Sequence, residues 1–231
     1  AIINGLLQYH LHVFKKMLKW KKTHGKNMTQ WLEVINEFDA WISLANYAHL
    51  NNTFSYPQID QTAEFEAEEL GHPFLKEGIR ITNDLRFDGF KLVILTGSNM
   101  AGKSTFLRSI GVNLIFTSLG LPVCAKHLKT RHYQLLSSMK PQDSLTSNES
   151  YFQAEVNRLR MLVDLLESDQ KSFVLLDEIL RGTNSQDKRN GTKAFLEKIK
   201  VKPLVGVIAT HDVEITELTA QQENVYSNRF F

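Results

Sequence analysis

Four short stretches of this 231-residue sequence hold side chains that could do chemistry. The first is TGSNMAGKST, in which Gly97 is followed by four residues and then by Gly102, Lys103 and Ser104. That spacing is the phosphate-loop pattern. Glycines let the backbone turn tightly and bring successive N–H groups round a phosphate. A helix beginning near Lys103 adds the positive end of its dipole. Lys103 would reach the β- and γ-phosphates of a nucleotide, and Ser104 would ligate magnesium. The alternative is a glycine turn with a chance lysine. Against it, a β-prone run, KLVIL, precedes the loop and a helix-like run follows it.

The second stretch is FVLLDEI, a buried-type strand ending in Asp177 and Glu178. An acid at such a strand end can hold magnesium through water. The next carboxylate, Glu178, is placed to orient and deprotonate a water, which suits hydrolysis better than transfer to a second substrate. An ordinary strand-end acidic pair is the plain reading. The third is IATHD, where Thr210 and His211 follow another strand of the same kind; a histidine there can hydrogen-bond a γ-phosphate or the attacking water. A lone histidine is more often structural. The fourth is SNESYFQAE. Ser150 and Gln153 read as a capping box, and a serine at a helix mouth is also a place for an anion.

These residues need elements to carry them. Residues 29–50 repeat apolar side chains with a period near 3.6, and residues 1–22 do so less cleanly, with THGKN as a break. The spacing predicts two helices, read as an antiparallel pair. NNTFSYPQ is a loop and the expected domain boundary, giving a helical stub over 1–55 and a larger domain over 56–231. Beyond it, IRITND and KLVILT read as strands and KSTFLRSIGVNLIFTSL as a helix. Phe152, Val156, Leu159, Val163 and Leu166 line one face of a further helix, and FVLLD and LVGVIAT read as strands buried on both faces. Strands alternating with helices define an α/β domain.

The bulk composition excludes several classes. Hydrophobic residues at 42% and charged residues at 23% are ordinary for a globular protein, and no stretch is long and apolar enough to cross a membrane. No signal peptide is expected, and a start at Ala rather than Met reads as a piece of a longer or processed protein. The single cysteine, Cys124, excludes an internal disulfide and a cysteine metal cluster; it is expected as a buried structural thiol in a reducing, cytoplasmic setting. A net charge of +2 does not by itself imply nucleic acid. Lys15, Lys16, Lys19, Lys21, Lys22 and Lys26 form a local basic run, readable as a solvated helix face or as a contact for a phosphate backbone.

TGSNMAGKST, LLDEILRGTNS and ATHDVEIT, in that order, resemble the phosphate loop, acid-pair segment and histidine segment of the MutS family of DNA mismatch-repair ATPases. SYFQAE is similar to that family's Ser-Thr-Phe-x-x-Glu signature, and HPFL and ITNDL to its lead-in to the loop. The resemblance covers about residues 38–220. It implies a P-loop NTPase fold of ATP-binding-cassette type, with lever-like N-terminal helices, working as a homodimer with two composite ATP sites. On this footing ATP and magnesium are the expected ligands. Gly97, Ser98, Asn99, Met100, Ala101, Gly102, Lys103, Ser104 and Thr105 would surround the phosphates, and Ser104 and Asp177 would serve the metal. Glu178 would be the general base, His211 the γ-phosphate sensor, and Lys103 part of the catalytic set. Ser150 would act across the dimer, and Arg80, Ile81 and Asn83 would lie near the adenine. DNA would be bound by parts largely outside this chain, with other repair proteins as further candidate partners.

The sequence departs from the family pattern at several points. Ala101 stands for a usual glycine, as do Leu180 and Asn148, and NSQDKRNGT lengthens the link after Arg181-Gly182-Thr183. No mismatch-reading element is present, and the family's final strands and dimer-forming helices are expected to be missing after VYSNRFF. The expected function is an ATP-hydrolysing domain coupling dimer closure to DNA binding in mismatch repair. Open alternatives are a related ATPase of recombination control or ribosome rescue, a dimerisation module that binds ATP with little hydrolysis, and a phosphate-loop small-molecule kinase.

Overall fold

A computed structural model describes residues 9–98, 101–139, 151–168, 170–180, 183–211, 215 and 225–230. The chain divides into two compact units, Ala1–Asn52 and Thr53–Phe231.

The first unit contains helix α1 (Tyr9–His24), a 3-10 turn (Gly25–Asn27) and helix α2 (Met28–Leu50). The expected antiparallel pairing is not formed. His24 (φ −115°, ψ −13°), Asn27 (φ −92°, ψ −9°) and Met28 (φ −60°, ψ −43°) all stay in the right-handed helical region, so α2 continues from α1 end to end. Reversal needs residues outside that region, and Gly25 does not supply one: it is not among the positive-φ glycines. Trp20, His24 and Trp31 stack along the run, with ring centroids 5.6 and 5.7 Å apart. No described residue of either helix is buried, and the six lysines of the basic run are exposed.

The second unit is built on strands β1 (Gln58–Ile59), β2 (Glu66–Leu70), β3 (Asn83–Arg86), β4 (Leu92–Thr96), β5 (His127–Thr130), β6 (Gln134–Ser138), β7 (Ser172–Asp177), β8 (Leu204–Ala209) and β9 (Tyr226–Phe230). Helices α3 (Lys103–Ser118), α4 (Tyr151–Leu165) and α5 (Ser185–Ile199) connect them. Five strands form a sheet in the order β6-β7-β8-β4-β9, with every neighbouring pair parallel. The other four form a mixed sheet, β1-β5-β2-β3. Tyr226–Phe230 is an edge strand paired with β4 from Leu92↔Tyr226 to Thr96↔Phe230.

Side chains alternate across the parallel sheet and build one core on each face. Val93, Leu95, Phe173, Leu175, Val205 and Val207 pack with Phe106, Leu107 and Ile110 of α3. Leu92, Ile94, Val174, Leu176 and Ile208 pack with Leu159 and Val163 of α4 and Phe195 and Ile199 of α5. Both faces being covered explains the unbroken apolar runs of β7 and β8, whose residues are all buried. The mixed sheet joins the first core through aromatic edges: Phe65, Phe87 and Tyr133 stand 5.2, 5.8 and 5.4 Å from Phe173.

The predicted strand IRITND is shorter than its pattern. Ile79 ends a 3-10 turn, Arg80 is extended, and pairing begins only at Asn83. Helix α5 begins inside NSQDKRNGT, which the sequence reading takes as a lengthened link. A Cβ at Gly191 would sit 2.5 Å from Leu180 Cδ1, so the glycine answers close packing and not chain reversal.

Candidate nucleotide site

Parallel pairing sets the register that gathers the chemical residues. Leu95 lies opposite Ala209, and Ala209 opposite Asp177, so β4, β8 and β7 end in one row. The Thr210 N–H donates to Leu95 O and the Glu178 N–H to Ala209 O, each at 2.9 Å. These bonds carry the row one residue past the strands. The glycine loop, His211 and the acid pair thus emerge side by side at the carboxyl edge of the sheet, the edge where open α/β sheets bind ligands.

The loop's glycines have backbone conformations that other residues resist: φ is 150° at Gly97 and 97° at Gly102. Gly102 is the N-cap of α3, and no side chain caps that end. The first N–H groups of a helix have no intrahelical partner, so this terminus is open to an anion. Lys103 begins the helix with 5% of its surface exposed. Its ammonium donates to Gly97 O at 2.7 Å and Ser98 O at 2.8 Å and lies 3.4 Å from His211 Nδ1. Desolvation pulls the Lys103 pKa down, while the charge of Asp177 opposes that shift. Asp177 itself is buried.

His211 bridges the loop and the acid pair. Its Nε2 lies 2.5 Å from Glu178 Oε1, and its Nδ1 lies 3.1 Å from Gly97 O. With Glu178 ionised, Nε2 carries a proton. Nδ1 then either accepts from Lys103 or, in the imidazolium, donates to Gly97 O. Ser104 is half-buried in the first turn of α3, and Thr105 is exposed.

The structure brings Gly97, Ser98, Lys103, Asp177, Glu178 and His211 together through these contacts. Ile81 and Asn83 belong to the mixed-sheet region, where Ile81 is 79% exposed. Their segment is tied towards the loop by Arg229, which donates to Asp84 O at 3.2 Å and pairs in register with Leu95. Asn99, Met100 and Ser150 lie outside the described residues, and so does the Arg181-Gly182 pair.

Among the described residues no group of three or more His, Cys, Asp or Glu could hold a metal ion. The expected magnesium ligands, Ser104 and Asp177, fit a different donor set: two hard oxygens, with phosphate and water oxygens completing six-fold coordination. Two long-range contacts that hold the elements carrying the site escaped the sequence reading. Glu155 accepts from the Leu180 N–H at 2.7 Å, and buried Asn113 ties α3 to two loops. Glu155 is the glutamate of the SYFQAE signature stretch, but its partner, 25 residues away, was not legible in the sequence.

Fold and site together define a class: an α/β protein with a parallel sheet whose glycine loop leads from a central strand into a helix. The family model of MutS domain V matches residues 93–230. The DNA mismatch repair protein MutS of Fervidobacterium nodosum is 33% identical over 84% of this chain and 24% of its own length. Its counterpart in Methanococcoides burtonii is 31% identical over 88% of this chain and 24% of its own. That of Fusobacterium nucleatum is 29% identical over 96% and 25%. The chain belongs to the MutS family. It spans about a quarter of the length of these relatives.

Proposed function

We propose that the chain is the ATP-binding and ATP-hydrolysing domain of a MutS-like DNA mismatch-repair protein. The observation that carries this reading is the meeting of Lys103, Asp177, Glu178 and His211 beside an uncapped helix N-terminus. A triphosphate tail fits that terminus. The loop N–H groups and the Lys103 ammonium would replace its hydration with fixed donors, which costs no reorganisation when charge moves. Magnesium, held by Ser104 and Asp177, would supply neutralisation of phosphate charge. Glu178 would take a proton from water, and His211 Nε2–H fixes the direction of its carboxylate.

The wider reading has the fold as an ATP-binding-cassette type. Two copies would close over shared ATP sites with Ser150 acting across the dimer, and α1 and α2 would serve as lever helices. Closure would change the grip of DNA-binding parts beyond this chain. A second reading is ATP-gated dimerisation with little hydrolysis. It draws support from the Glu178–His211 contact, which occupies the carboxylate that would receive the water's proton.

ATP binding and phosphate release by the purified chain test both readings. Lys103→Ala is expected to abolish tight ATP binding. Glu178→Gln is expected to keep binding and slow turnover at least about a hundredfold. Unchanged affinity in the lysine variant refutes the loop assignment, and unchanged turnover in the glutamine variant refutes the base. A wild-type chain that binds ATP and dimerises without releasing phosphate selects the second reading.

A further inference from the structure

The segment after Asp177 has an unusual backbone. Glu178 has φ +50° and Leu180 φ +59°, left-handed values that non-glycine residues resist. Between them Ile179 is buried, with 4% of its surface exposed. Such strain persists only where the surroundings hold it. Here the holding groups are visible. On one side the Glu178 N–H donates to Ala209 O at 2.9 Å. On the other the Leu180 N–H donates to Glu155 Oε1 at 2.7 Å. The Leu180 side chain is buried against Gly191 of α5, where even one added methyl would collide with it. Phe152, Val156 and Leu159 of α4 and Phe195 of α5 line the same 310 Å³ cleft as Leu180. The turn is thus clamped by β8 at its start, by α4 through a carboxylate, and by α5 through packing.

We infer that Glu155 is a positioning residue for the acid pair: by holding the Leu180 amide it keeps the 178–180 turn left-handed and the Glu178 carboxylate on His211. A glutamate suits this task because its side chain reaches from α4 to the Leu180 N–H with an acceptor oxygen. Its position on α4 makes the aim of Glu178 depend on the seating of that helix. The catalytic consequence rests on the hydrolytic reading above; the backbone consequence does not.

Three variants of the full chain test the inference: Glu155→Ala, Glu155→Asp and Glu155→Gln. Aspartate keeps the charge but falls one methylene short, and it serves if the alanine variant does not fold. Glutamine keeps an acceptor oxygen at full reach. Two quantities are read, exchange of the Leu180 amide with solvent and single-turnover hydrolysis, with ATP affinity measured alongside. In Ala and Asp variants the Leu180 amide is expected to exchange at least tenfold faster. Hydrolysis is expected to slow at least tenfold, with ATP affinity within twofold of wild type. Glutamine is expected to restore both quantities to within threefold. Hydrolysis within twofold of wild type in the Ala or Asp variant overturns the inference, as does unchanged Leu180 exchange. If the wild-type chain does not hydrolyse ATP, the hydrolytic reading fails by itself, and the exchange of Leu180 alone then decides whether Glu155 holds the turn.

Discussion

Asn113 offers a direct test of how the loop helix is anchored. It is fully buried in the middle of α3. Its Nδ2 donates to Gly71 O at 3.0 Å and to Ser109 O at 2.7 Å, and its Oδ1 accepts the Cys124 N–H at 2.7 Å. One side chain therefore ties the helix that begins at Lys103 to the loops that follow β2 and precede β5. In Asn113→Ala the Gly71 carbonyl and the Cys124 N–H lose this partner inside the protein. Each such group costs about 1–3 kcal/mol, so the expected loss is about 4 kcal/mol. That is a large share of the roughly 5–15 kcal/mol that holds a domain together. With a urea dependence of about 2–3 kcal/mol per molar, the unfolding midpoint should fall by about 1.3–2 M. The assay is urea unfolding followed by circular dichroism, with the slope compared between proteins. Asn113→Asp keeps the acceptor for Cys124 but loses the donor for Gly71 and adds a buried charge, so it should also destabilise. A loss below about 1 kcal/mol in the alanine variant, at equal slope, would refute the anchoring argument, because both orphaned groups would then have found other partners.

Other outcomes follow from single contacts. Gly206→Ala places a Cβ 2.4 Å from Val174 O across the β7–β8 pair, and backbone cannot step aside. A loss of at least about 2 kcal/mol is expected from thermal melting, on the scale of core overpacking. Gly102→Ala meets φ +97° at the N-cap of α3 and should weaken ATP binding at least tenfold while the far-ultraviolet spectrum is kept. His72 has its pKa pulled below the ordinary value of 6.5 by burial and by the charges of Arg108 and Arg80. Its neutral form is the one the fold favours. Its contribution to stability is therefore complete above about pH 6.5 and lost as pH falls towards the lowered folded value. His72→Gln should flatten the stability curve between pH 7 and 5; an unchanged slope would contradict the burial argument.

What was legible in the sequence was local. Glycine spacing at 97 and 102, apolar runs such as FVLLD and LVGVIA, and the four-three stepping of Phe152 to Leu166 each encode one element in consecutive residues. Backbone geometry translates such periods directly into strands and helices, and Cys124 is buried as its apolar run implied. The strands of the mixed sheet were harder. Glu66–Leu70 reads EAEEL, a charged run whose strand character comes from partners such as Arg86, 3.4 Å from Glu66 across the pair. The start of α5, where Asn184 caps the Asp187 N–H at 2.9 Å, lies in the stretch taken as a lengthened link and was not read as a helix. The end-to-end run of α1 into α2 also escaped, because a break in apolar period is not a break in backbone.

Only the tertiary structure decided which residues meet. The Leu95–Ala209–Asp177 register, the His211 bridge between Gly97 and Glu178, and the Glu155 hold on Leu180 all join residues far apart in the chain. Contacts of that kind depend on strand order and helix seating. Those are settled by burying two faces of one sheet at once, and no stretch of sequence carries that information alone.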